Sequence, residues 1–591
     1  MAGLEALWLI GAAISTMSML ALAFNLCGLP CFWASRRFFP RASPWVEAGA
    51  WTLFHFILFI DTRIWAIFRY HINGMVWNLV TTPGGLQTFD LDAETVSLVT
   101  VGSIAMFAIQ LLLQRRARAS TPRSGFQNWI AKIGLILVVL AVLGEKSVFA
   151  WADAKQFKPI TSRARSFPLY QAITAKRLFN RVSNASTPEE ATREERLSSS
   201  GGLALNYPRA VPQCPPAGPR PNIVIAVVDS LRADAFSPEH MPLISEWSAN
   251  RARIFQDHAS GGNATRFGVF SLIYGLAAPY WFSIYGEHTP PALIVELQRL
   301  GYDMRVISTA RMDFPEFRST AWVTMQSGIK DRWGDQPKWR KDEMVAEDFE
   351  SWVAARKNVS TPFFAFLMLD SPHQTYDWPR DKSRNTPFAG KVSYLKKSGQ
   401  IPAAEITELK NAYFNAVEHA DRVLQKIVDT LERTGNAENT WVILTGDHGE
   451  EFFENGYFGH TSNYARQQVH VPFLVAGPGI APGKETRPSS HMDLSVTLLE
   501  QLGADPAIRG DWAQGENLFS LPDRRNRIVG GWHEVALWTD DGVLHVPLEG
   551  HRGFASPMGW DWKPHPDGEK FLHRHAPEMA KLARDLRVFL R

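Results

Sequence analysis

The sequence has little cysteine and little net charge, and each shortage excludes a class of protein. It contains 3 cysteines in 591 residues. Cys27 and Cys31 stand together near the N-terminus and Cys214 stands alone, so no disulfide framework is indicated. The net charge is +3, without long runs of one sign, which argues against a nucleic-acid-binding protein. No Lys or Arg precedes the first apolar stretch and no small-residue cleavage site follows it, so a cleaved signal peptide is disfavoured.

Long apolar runs are crowded into residues 1–151 and predict a helical transmembrane bundle. Four stretches have the length and apolarity to cross a bilayer. They are residues 7–33, 45–68, 95–113 and 129–151. Asp61 and Arg63 interrupt the second stretch, so residues 64–80 are alternatively a segment at the membrane surface, anchored by Trp65 and Trp77.

Basic residues between the spans orient this bundle, because Lys and Arg near span ends favour the cytoplasmic side. They follow the first and third spans, whereas the loop after the second span is acidic. The basic residues are Arg36, Arg37, Arg41, Arg115, Arg116, Arg118 and Arg123. An even number of spans then places both termini outside, so the sequence predicts a multi-pass inner (plasma) membrane protein whose large C-terminal part lies in the periplasm.

Residues 152–220 predict a basic juxtamembrane segment followed by a Pro-rich linker. Clustered cations at a membrane surface attract anionic headgroups by about 1 kcal/mol each, which makes the segment a candidate lipid-binding site. A solvated helix face is the alternative interpretation. The cations are Lys158, Arg163, Arg165, Lys176, Arg177 and Arg181.

Residues 221–525 alternate short apolar runs with helical patterns, which is typical of an α/β domain whose mainly parallel sheet is covered by helices on both faces. The predicted strands are residues 222–228, 303–308, 362–369, 441–445 and 471–475, and the longest predicted helix is residues 404–433. Residues 526–591 are expected to complete the domain as a hairpin and a helix over 577–590. In such sheets, sites form beyond the carboxyl ends of the strands.

Polar residues of one chemical type follow the predicted strands. Asp229 ends the first strand, Asp370 and His373 follow the third, and Asp447 and His448 follow the fourth. A single Asp after a strand is more often a helix cap or a turn residue than a metal ligand. Because carboxylates and imidazoles follow three strands, a divalent metal site is the better interpretation, and these ligands suit Mn, Mg or Zn.

A hydroxyl that could serve as nucleophile stands in the run Ser260-Gly-Gly-Asn-Ala-Thr265-Arg266, at the start of an apolar helix. Helix amides and a neighbouring cation lower the pKa of such a hydroxyl and stabilise anionic oxygens. Thr265 is therefore the predicted nucleophile, although by itself it would be a helix cap. Arg266 is either a clamp for anionic oxygens or the partner of a surface carboxylate.

Together these residues resemble the sulfatase and alkaline phosphatase superfamily. The resemblance is carried by Asp229, Thr265 and the run Thr445-Gly-Asp447-His448-Gly449-Glu450, followed by Gly459-His460. Within it the membrane-bound branch is most similar, namely lipoteichoic acid synthases, phosphoethanolamine transferases and YejM-like inner-membrane proteins. Three segments carry the likeness to YejM-like proteins. They are Phe59-Ile-Asp61 with Trp77-Asn78-Leu-Val80, Trp151-Ala-Asp153-Ala with Pro159-Ile-Thr161, and Gly262-Asn263-Ala-Thr265-Arg with Tyr274-Gly275. YejM-like proteins usually have one N-terminal span more than the four counted here.

The resemblance implies a set of roles. The implied ligands of one divalent metal ion are Asp229, Thr265, Asp447 and His448, and the implied substrate contacts are Arg266, Asn263, His373 and His460. Thr265 would attack, and His373 or His460 would protonate the leaving oxygen. A phosphothreonine intermediate would then pass to water or an acceptor. His491 is expected to organise the helix that follows it.

The sequence thus predicts a membrane-anchored, metal-dependent hydrolase or phosphotransferase acting on a phosphate ester or diester of an envelope lipid, either a phospholipid or a lipopolysaccharide headgroup. A sulfuric ester hydrolase is disfavoured because a threonine cannot become formylglycine. The second alternative is a lipid-sensing regulator of lipopolysaccharide and outer-membrane assembly with little catalysis. Other inner-membrane envelope-biogenesis proteins are candidate partners, and no nucleic acid is expected.

Overall fold

The computed structural model describes most of the chain, including both ends of the soluble domain. The described residues are 2–68, 70–82, 93–119, 125–154, 157–161, 163–171, 204–216, 218, 220–356, 359–389, 401–523, 525–548 and 555–591.

Four N-terminal helices confirm the predicted transmembrane bundle, since each is long and apolar enough to cross a membrane. They are α1 (Ala2–Phe38), α2 (Ser43–Phe68), α4 (Ala93–Ala119) and α5 (Gly125–Ala154). Helix α1 packs against α5, and α2 packs against α4. Arg36 and Arg118 both donate to the buried Glu47 carboxylate, at 2.7 and 2.6 Å. These bonds join three of the helices near their charged ends.

Helix α2 ends at Phe68, and a separate short helix, α3 (Gly74–Thr81), follows it. The Asn73 side chain starts α3 by accepting from the backbone N–H groups of Met75 and Val76, at 2.9 and 3.1 Å. On α3 the Trp77 side chain is 68% exposed and Val80 is 47% exposed. The helix thus presents apolar surface outward. After α5 comes one helical turn, α6 (Lys158–Thr161).

An eight-stranded sheet forms the centre of the soluble domain, in the order β11-β2-β10-β7-β1-β6-β4-β5. Strands β7, β1, β6, β4 and β5 run parallel, whereas β10 is antiparallel to both β7 and β2. The strands of this sheet are β1 (Asn222–Val228), β2 (Ala252–Phe255), β4 (Asp303–Ser308), β5 (Ile329–Lys330), β6 (Phe363–Leu369), β7 (Thr440–Gly446), β10 (Phe473–Ala476) and β11 (Gly483–Glu485). Two small ladders pair β3 (His258–Ala259) with β12 (Ser489–Ser490), and β8 (Glu451–Phe452) with β9 (Phe458–Gly459).

Helices cover both faces of this sheet, which confirms the predicted fold class. Two large apolar clusters lie on its opposite faces, because alternate residues of the fully buried strand β1 contribute to one cluster or the other. The helices are α7 (Pro242–Ala249), α8 (Thr265–Tyr274), α9 (Trp281–Glu287), α10 (Ala292–Arg299), α11 (Lys338–Ala355), α12 (Ala403–Arg433), α13 (Arg466–Val469) and α14 (Met492–Gln501).

The C-terminal part is more elaborate than the expected hairpin and helix. It forms a second, four-stranded antiparallel sheet in the order β13-β14-β15-β16, followed by two helices. These elements are β13 (Arg527–Gly530), β14 (Glu534–Trp538), β15 (Val543–Pro547), β16 (Ser556–Met558), α15 (Gly568–Arg574) and α16 (Ala576–Asp585). The Gly530 backbone N–H donates to the carbonyl of Gly261 at 2.9 Å. The second sheet therefore packs beside the loop that precedes α8.

Candidate metal centre

Three neighbouring parallel strands bring the predicted acidic residues to one edge of the sheet. Val228, at the end of β1, lies in register with Leu369 of β6 on one side and with Gly446 of β7 on the other. The residues that follow these positions, Asp229, Asp370 and Asp447, therefore emerge side by side, as the order of the strands requires.

Asp229, Asp447 and His448 form the first candidate metal set, with one ligand atom from each within 4.8 Å of the others. Nε2 of His448 lies 3.5 Å from Oδ1 of Asp229 and 3.5 Å from Oδ2 of Asp447. The other ring nitrogen, Nδ1, donates to the Gly449 carbonyl at 2.9 Å. That bond leaves Nε2 with its lone pair directed at the carboxylates, which is the tautomer a metal ligand requires.

The Asp447 carboxylate supplies a test of whether a cation fits here. Its Oδ1 accepts from the backbone N–H groups of Ser230 and His448, at 3.0 and 2.8 Å. Its Oδ2 is buried and has no hydrogen-bond partner among the described residues. A buried carboxylate oxygen without a donor is costly, and a divalent cation would satisfy it. The donor set thus fits a divalent metal ion.

Thr265 is the first residue of α8, and its hydroxyl points into this set. Oγ1 lies 3.2 Å from Nε2 of His448 and 3.4 Å from Oδ2 of Asp229. A Cβ atom on Gly268, one turn later, would meet the Asp447 carbonyl oxygen at 2.1 Å. Glycine at this position lets α8 lie directly against the strand-end loop. The positive end of the helix and its first hydroxyl are thereby held beside the metal ligands.

The electrostatics of the cluster also favour a cation. Burial raises the pKa of the Asp229 carboxyl well above its usual range, and the charges of Asp447 and Asp370 raise it further. Burial likewise lowers the pKa of the His448 imidazole. Both shifts disfavour the charged forms of the side chains while no positive charge lies among them. A bound divalent cation would favour the ionised Asp229 carboxylate and would keep the His448 imidazole neutral, which is the form that ligates a metal.

His373 and His460 lie together at the open side of this cluster, and both are partly exposed. Their ring centres are 5.4 Å apart, and the ring of His460 is 4.2 Å from that of His448. Glu450 holds His460 in place, since its Oε2 accepts from Nδ1 of that ring at 2.9 Å while its Oε1 accepts from the Tyr376 hydroxyl at 2.9 Å. The run of residues around Asp447 contains Glu450, but nothing in the sequence pairs it with His460.

Lys338 is a residue of the site that sequence reasoning missed. Asp229, Asp370 and His373 form a second set whose ligand atoms are close enough to hold a metal ion. Nζ of Lys338, however, lies 3.2 Å from Oδ2 of Asp370 and 3.2 Å from Nδ1 of His373. Burial lowers the pKa of the His373 imidazole well below its usual value, and the Lys338 charge lowers it further. Lys338 begins a helix and follows no strand, so its sequence context carried no signal.

Two residues expected to contact substrate are bonded elsewhere. The Arg266 guanidinium donates to Oε2 of the buried Glu316 at 2.7 Å rather than reaching the cluster. The Asn263 side-chain amide donates to the Asn463 carbonyl at 2.9 Å. His491, expected to organise the helix that follows it, donates from Nδ1 to the carbonyl of Gly268 in α8 at 3.2 Å.

The predicted lipid-binding cations are only partly covered by the structure. Arg163 pairs with Glu5 at 3.1 Å. The backbones of Lys158 and Arg165 are described in short helical turns. The other three, Lys176, Arg177 and Arg181, lie outside the described residues. Lipid binding by this segment stays a prediction.

Comparison with known proteins agrees with this architecture. Residues 221–504 match the family model described as sulfatase. Slightly less than half of the chain is thus similar to this family. Residues 2–214 match a second family model, described as a domain of unknown function, DUF3413. The chain is 22% identical over 502 residues to the inner membrane protein YejM of Salmonella typhimurium, covering 84% of this chain and 77% of the relative. It is 25% identical over 501 residues to an uncharacterised protein of Haemophilus influenzae, covering 84% of this chain and 76% of that one.

Among solved structures, the chain is similar to an alkaline phosphatase superfamily protein from Vibrio parahaemolyticus. The TM-score is 0.48 at 17% identity, covering 68% of this chain and 98% of that chain. The lipoteichoic acid synthase LtaP from Listeria monocytogenes matches with a TM-score of 0.44 at 15% identity, covering 67% of this chain and 99% of that chain. The expected resemblance to the sulfatase and alkaline phosphatase superfamily, with YejM proteins as relatives, is confirmed by the family match and the sequence relatives.

Proposed function

We propose that this protein is an inner-membrane hydrolase or phosphotransferase whose sulfatase-family domain lies in the periplasm and whose Thr265 attacks the phosphorus of an envelope-lipid phosphate ester or diester. The observation that carries the proposal is the position of the Thr265 hydroxyl. Oγ1 lies 3.2 Å from Nε2 of His448 and 3.4 Å from Oδ2 of Asp229. A serine or threonine held among potential metal ligands at a helix start is arranged as a nucleophile.

Asp229, Thr265, Asp447 and His448 would hold one divalent cation. Such a cation supplies positive charge that favours the deprotonated hydroxyl of Thr265 and neutralises charge on the phosphoryl oxygens. Lys338 supplies a second positive charge at the same edge through its ammonium, which lies beside Asp370 and His373. Two cationic centres suit a phosphate ester, whose transition state spreads negative charge over three oxygens.

The chain's own groups account for the proton transfers. The Thr265 oxygen forms a bond to phosphorus as the bond from phosphorus to the leaving oxygen breaks. His460 or His373 donates a proton to that leaving oxygen. Glu450 accepts from Nδ1 of His460, which orients the ring. In the second half of the reaction, the same histidine takes a proton from water or an acceptor hydroxyl, which attacks phosphorus and releases Thr265.

An envelope lipid is favoured as substrate because the end of a membrane helix lies beside the site. The Phe68 ring, at the end of α2, is 3.8 Å from where a Cβ of Gly459 would lie. The Tyr70 hydroxyl is 3.5 Å from Oγ1 of Thr461. These contacts flank His460 on both sides in the sequence. A headgroup presented at the membrane surface would therefore be near the proposed proton donor.

The test uses the full-length protein purified in detergent. Metal content and turnover of a phosphate monoester and a phosphodiester are compared for the wild type, Thr265→Ala and Thr265→Ser. Thr407→Ala, which removes an exposed hydroxyl from α12, is the matched control. We expect turnover by the wild type and the control, residual turnover by T265S, and loss of turnover in T265A.

A wild type that binds no divalent metal and hydrolyses neither substrate would overturn the proposal. Binding of lipid A or anionic phospholipid by that inactive protein would then support the alternative of a lipid-sensing regulator. Hydrolysis of an aryl sulfate in preference to both phosphate esters would support the sulfuric ester alternative.

A further inference from the structure

The short helix α3 reaches from the membrane region to the helix that carries Thr265, through a single side chain. Oδ1 of Asn78 accepts from Nη2 of Arg266 at 2.8 Å. Nδ2 of Asn78 donates to Oε1 of Glu316 at 2.7 Å. The same Nη2 of Arg266 donates to Oε2 of Glu316 at 2.7 Å. The three side chains thus form a closed ring of charge-assisted hydrogen bonds.

The ion pair within this ring is buried, and the Asn78 side chain beside it is half-buried. The side chains of Arg266 and Glu316 are 6% and 8% exposed. The Arg266 guanidinium also lies over the ring of Trp532, 4.7 Å from its centre. A buried ion pair is stable only when its remaining polar atoms are bonded. Asn78 donates to Oε1 of Glu316, whereas Arg266 donates to Oε2 of the same carboxylate. Asn78 also accepts from the guanidinium.

The ring also holds the start of α8. Thr265 and Arg266 are the first two residues of that helix, so a guanidinium fixed in place restrains the backbone that carries the Thr265 hydroxyl. A second contact holds α3 in the same place, since the position of a Cβ on Gly74 lies 3.3 Å from Nε1 of Trp532. The opposite side of α3 exposes Trp77 and Val80. The helix therefore joins exposed apolar surface on one side to the nucleophile helix on the other.

We propose that Asn78 is a positioning residue for Thr265, supplied by the membrane region and acting through Arg266 and Glu316. This inference rests on the proposed function, because it assigns Asn78 to the same nucleophile. Its consequence is that the membrane region does more than anchor the domain: it sets the geometry of the site. The sulfatase-family domain alone lacks Asn78 and leaves Arg266 and Glu316 without their third partner.

The experiment compares full-length wild type, Asn78→Leu, Asn78→Gln and Val80→Ala in the same detergent. Leucine keeps the approximate size of Asn78 without its hydrogen bonds, glutamine keeps both the donor and the acceptor, and V80A changes an exposed residue of the same helix. The readouts are kcat and KM on a soluble phosphate ester, and the Kd for Mn²⁺. We expect N78L to lower kcat between about tenfold and a hundredfold with KM within about twofold, since a small displacement of a nucleophile costs this much.

We also expect a higher Kd for Mn²⁺ in N78L, because Thr265 is one of the proposed ligands. N78Q should recover most of kcat, and V80A should have wild-type values. Equal kcat and equal Mn²⁺ affinity in N78L and V80A would overturn the inference. If N78L does not fold, Asn78→Ser is measured in its place against the same criteria.

The two proposals fail in different ways. A wild type that binds Mn²⁺ without turnover overturns the proposed function but not the inference, which the Mn²⁺ affinities of N78L and V80A then decide. A wild type that neither binds Mn²⁺ nor turns over substrate overturns both.

Discussion

The ammonium of Lys338 lies 3.2 Å from Oδ2 of Asp370, at the edge of the sheet where the second metal-sized set is formed. Asp229 belongs to both of the candidate sets at this edge of the sheet, so the two positions are adjacent. A divalent cation bound between Asp370 and His373 would face the ammonium at close range, and the two would repel. The lysine therefore leaves room for one metal ion rather than two.

The first prediction concerns metal stoichiometry. We expect the wild type to bind one Mn²⁺ per chain and Lys338→Met to gain a second, weaker site, because the variant frees Asp370 and the imidazole of His373. Calorimetric titration with Mn²⁺ measures both. The double variant K338M/D370N should return to one ion. Two ions bound by the wild type would contradict the proposed role of Lys338.

The second prediction concerns the unsatisfied oxygen of Asp447. Asp447→Asn keeps one oxygen to accept from Ser230 and His448 but loses the charge that a cation requires. Loss of a supporting partner alone typically weakens metal binding 10- to 100-fold, so we expect D447N to weaken Mn²⁺ binding by more than about a hundredfold. Asp561→Asn, at an exposed carboxylate that pairs with Lys563, should bind Mn²⁺ as the wild type does. Unchanged affinity in D447N would show that the cluster holds no metal.

The third prediction concerns the partner of His460. Glu450→Gln removes the negative charge that accepts from Nδ1 of His460 and should lower kcat by about tenfold or more, as a weakened general acid would. Tyr376→Phe removes the hydroxyl that donates to the other Glu450 oxygen and leaves the carboxylate beside His460, so it should have a smaller effect. Steady-state kinetics on a phosphate ester compares the two variants. An E450Q enzyme as fast as the wild type would remove His460 from the mechanism.

The fourth prediction is a pH dependence of stability. Burial lowers the pKa of His491 to about 4 from 6.5. Between these values the unfolded chain binds a proton that the folded chain does not, so this residue makes the protein less stable as pH falls through that window. The full effect is ~3 kcal/mol. His491→Gln stays neutral and should show a smaller fall in Tm between pH 7 and pH 5. Parallel Tm curves for both proteins would contradict the assignment.

The fifth prediction concerns the close approach of α8 to Asp447. Gly268→Ala places a Cβ where the Asp447 carbonyl oxygen lies, and such overpacking costs about 1 to 3 kcal/mol. We expect a lower Tm together with weaker Mn²⁺ binding. Gly286→Ala, in a helix position with nothing within 4 Å of its Cβ, is the matched control and should be neutral or stabilising. Equal Tm values would mean that α8 can move away without cost.

Much of the fold could be predicted because it depends on local patterns. Strands β1 and β4 begin and end at the predicted residues. Strand β1 is fully buried, and such a strand needs an unbroken apolar stretch with polar residues at its ends. The four membrane helices follow from length and apolarity alone. The expected C-terminal hairpin was too simple, because strands of that antiparallel sheet pair with each other in ways that short runs do not specify.

The candidate site likewise contains residues that the sequence could identify and residues that it could not. Asp229, Asp447, His448 and Thr265 could be named from the sequence because each stands at the end of a strand or the start of a helix, and parallel strands bring such positions together. Arg266 was assigned two alternatives, a clamp or a partner of a surface carboxylate. Its partner is the buried Glu316, 50 residues away.

Tertiary structure alone decided which distant side chains complete the site. Lys338 reaches His373 across 35 residues, and Asn78 reaches Glu316 across 238 residues, from the membrane region. Neither contact leaves a periodic or local trace in the sequence, because a hydrogen bond requires only that two side chains meet after folding. The ligands at the strand ends could therefore be predicted from the sequence. The position of the Lys338 charge beside Asp370 and the link from Asn78 of α3 to Glu316 depend on how the chain packs.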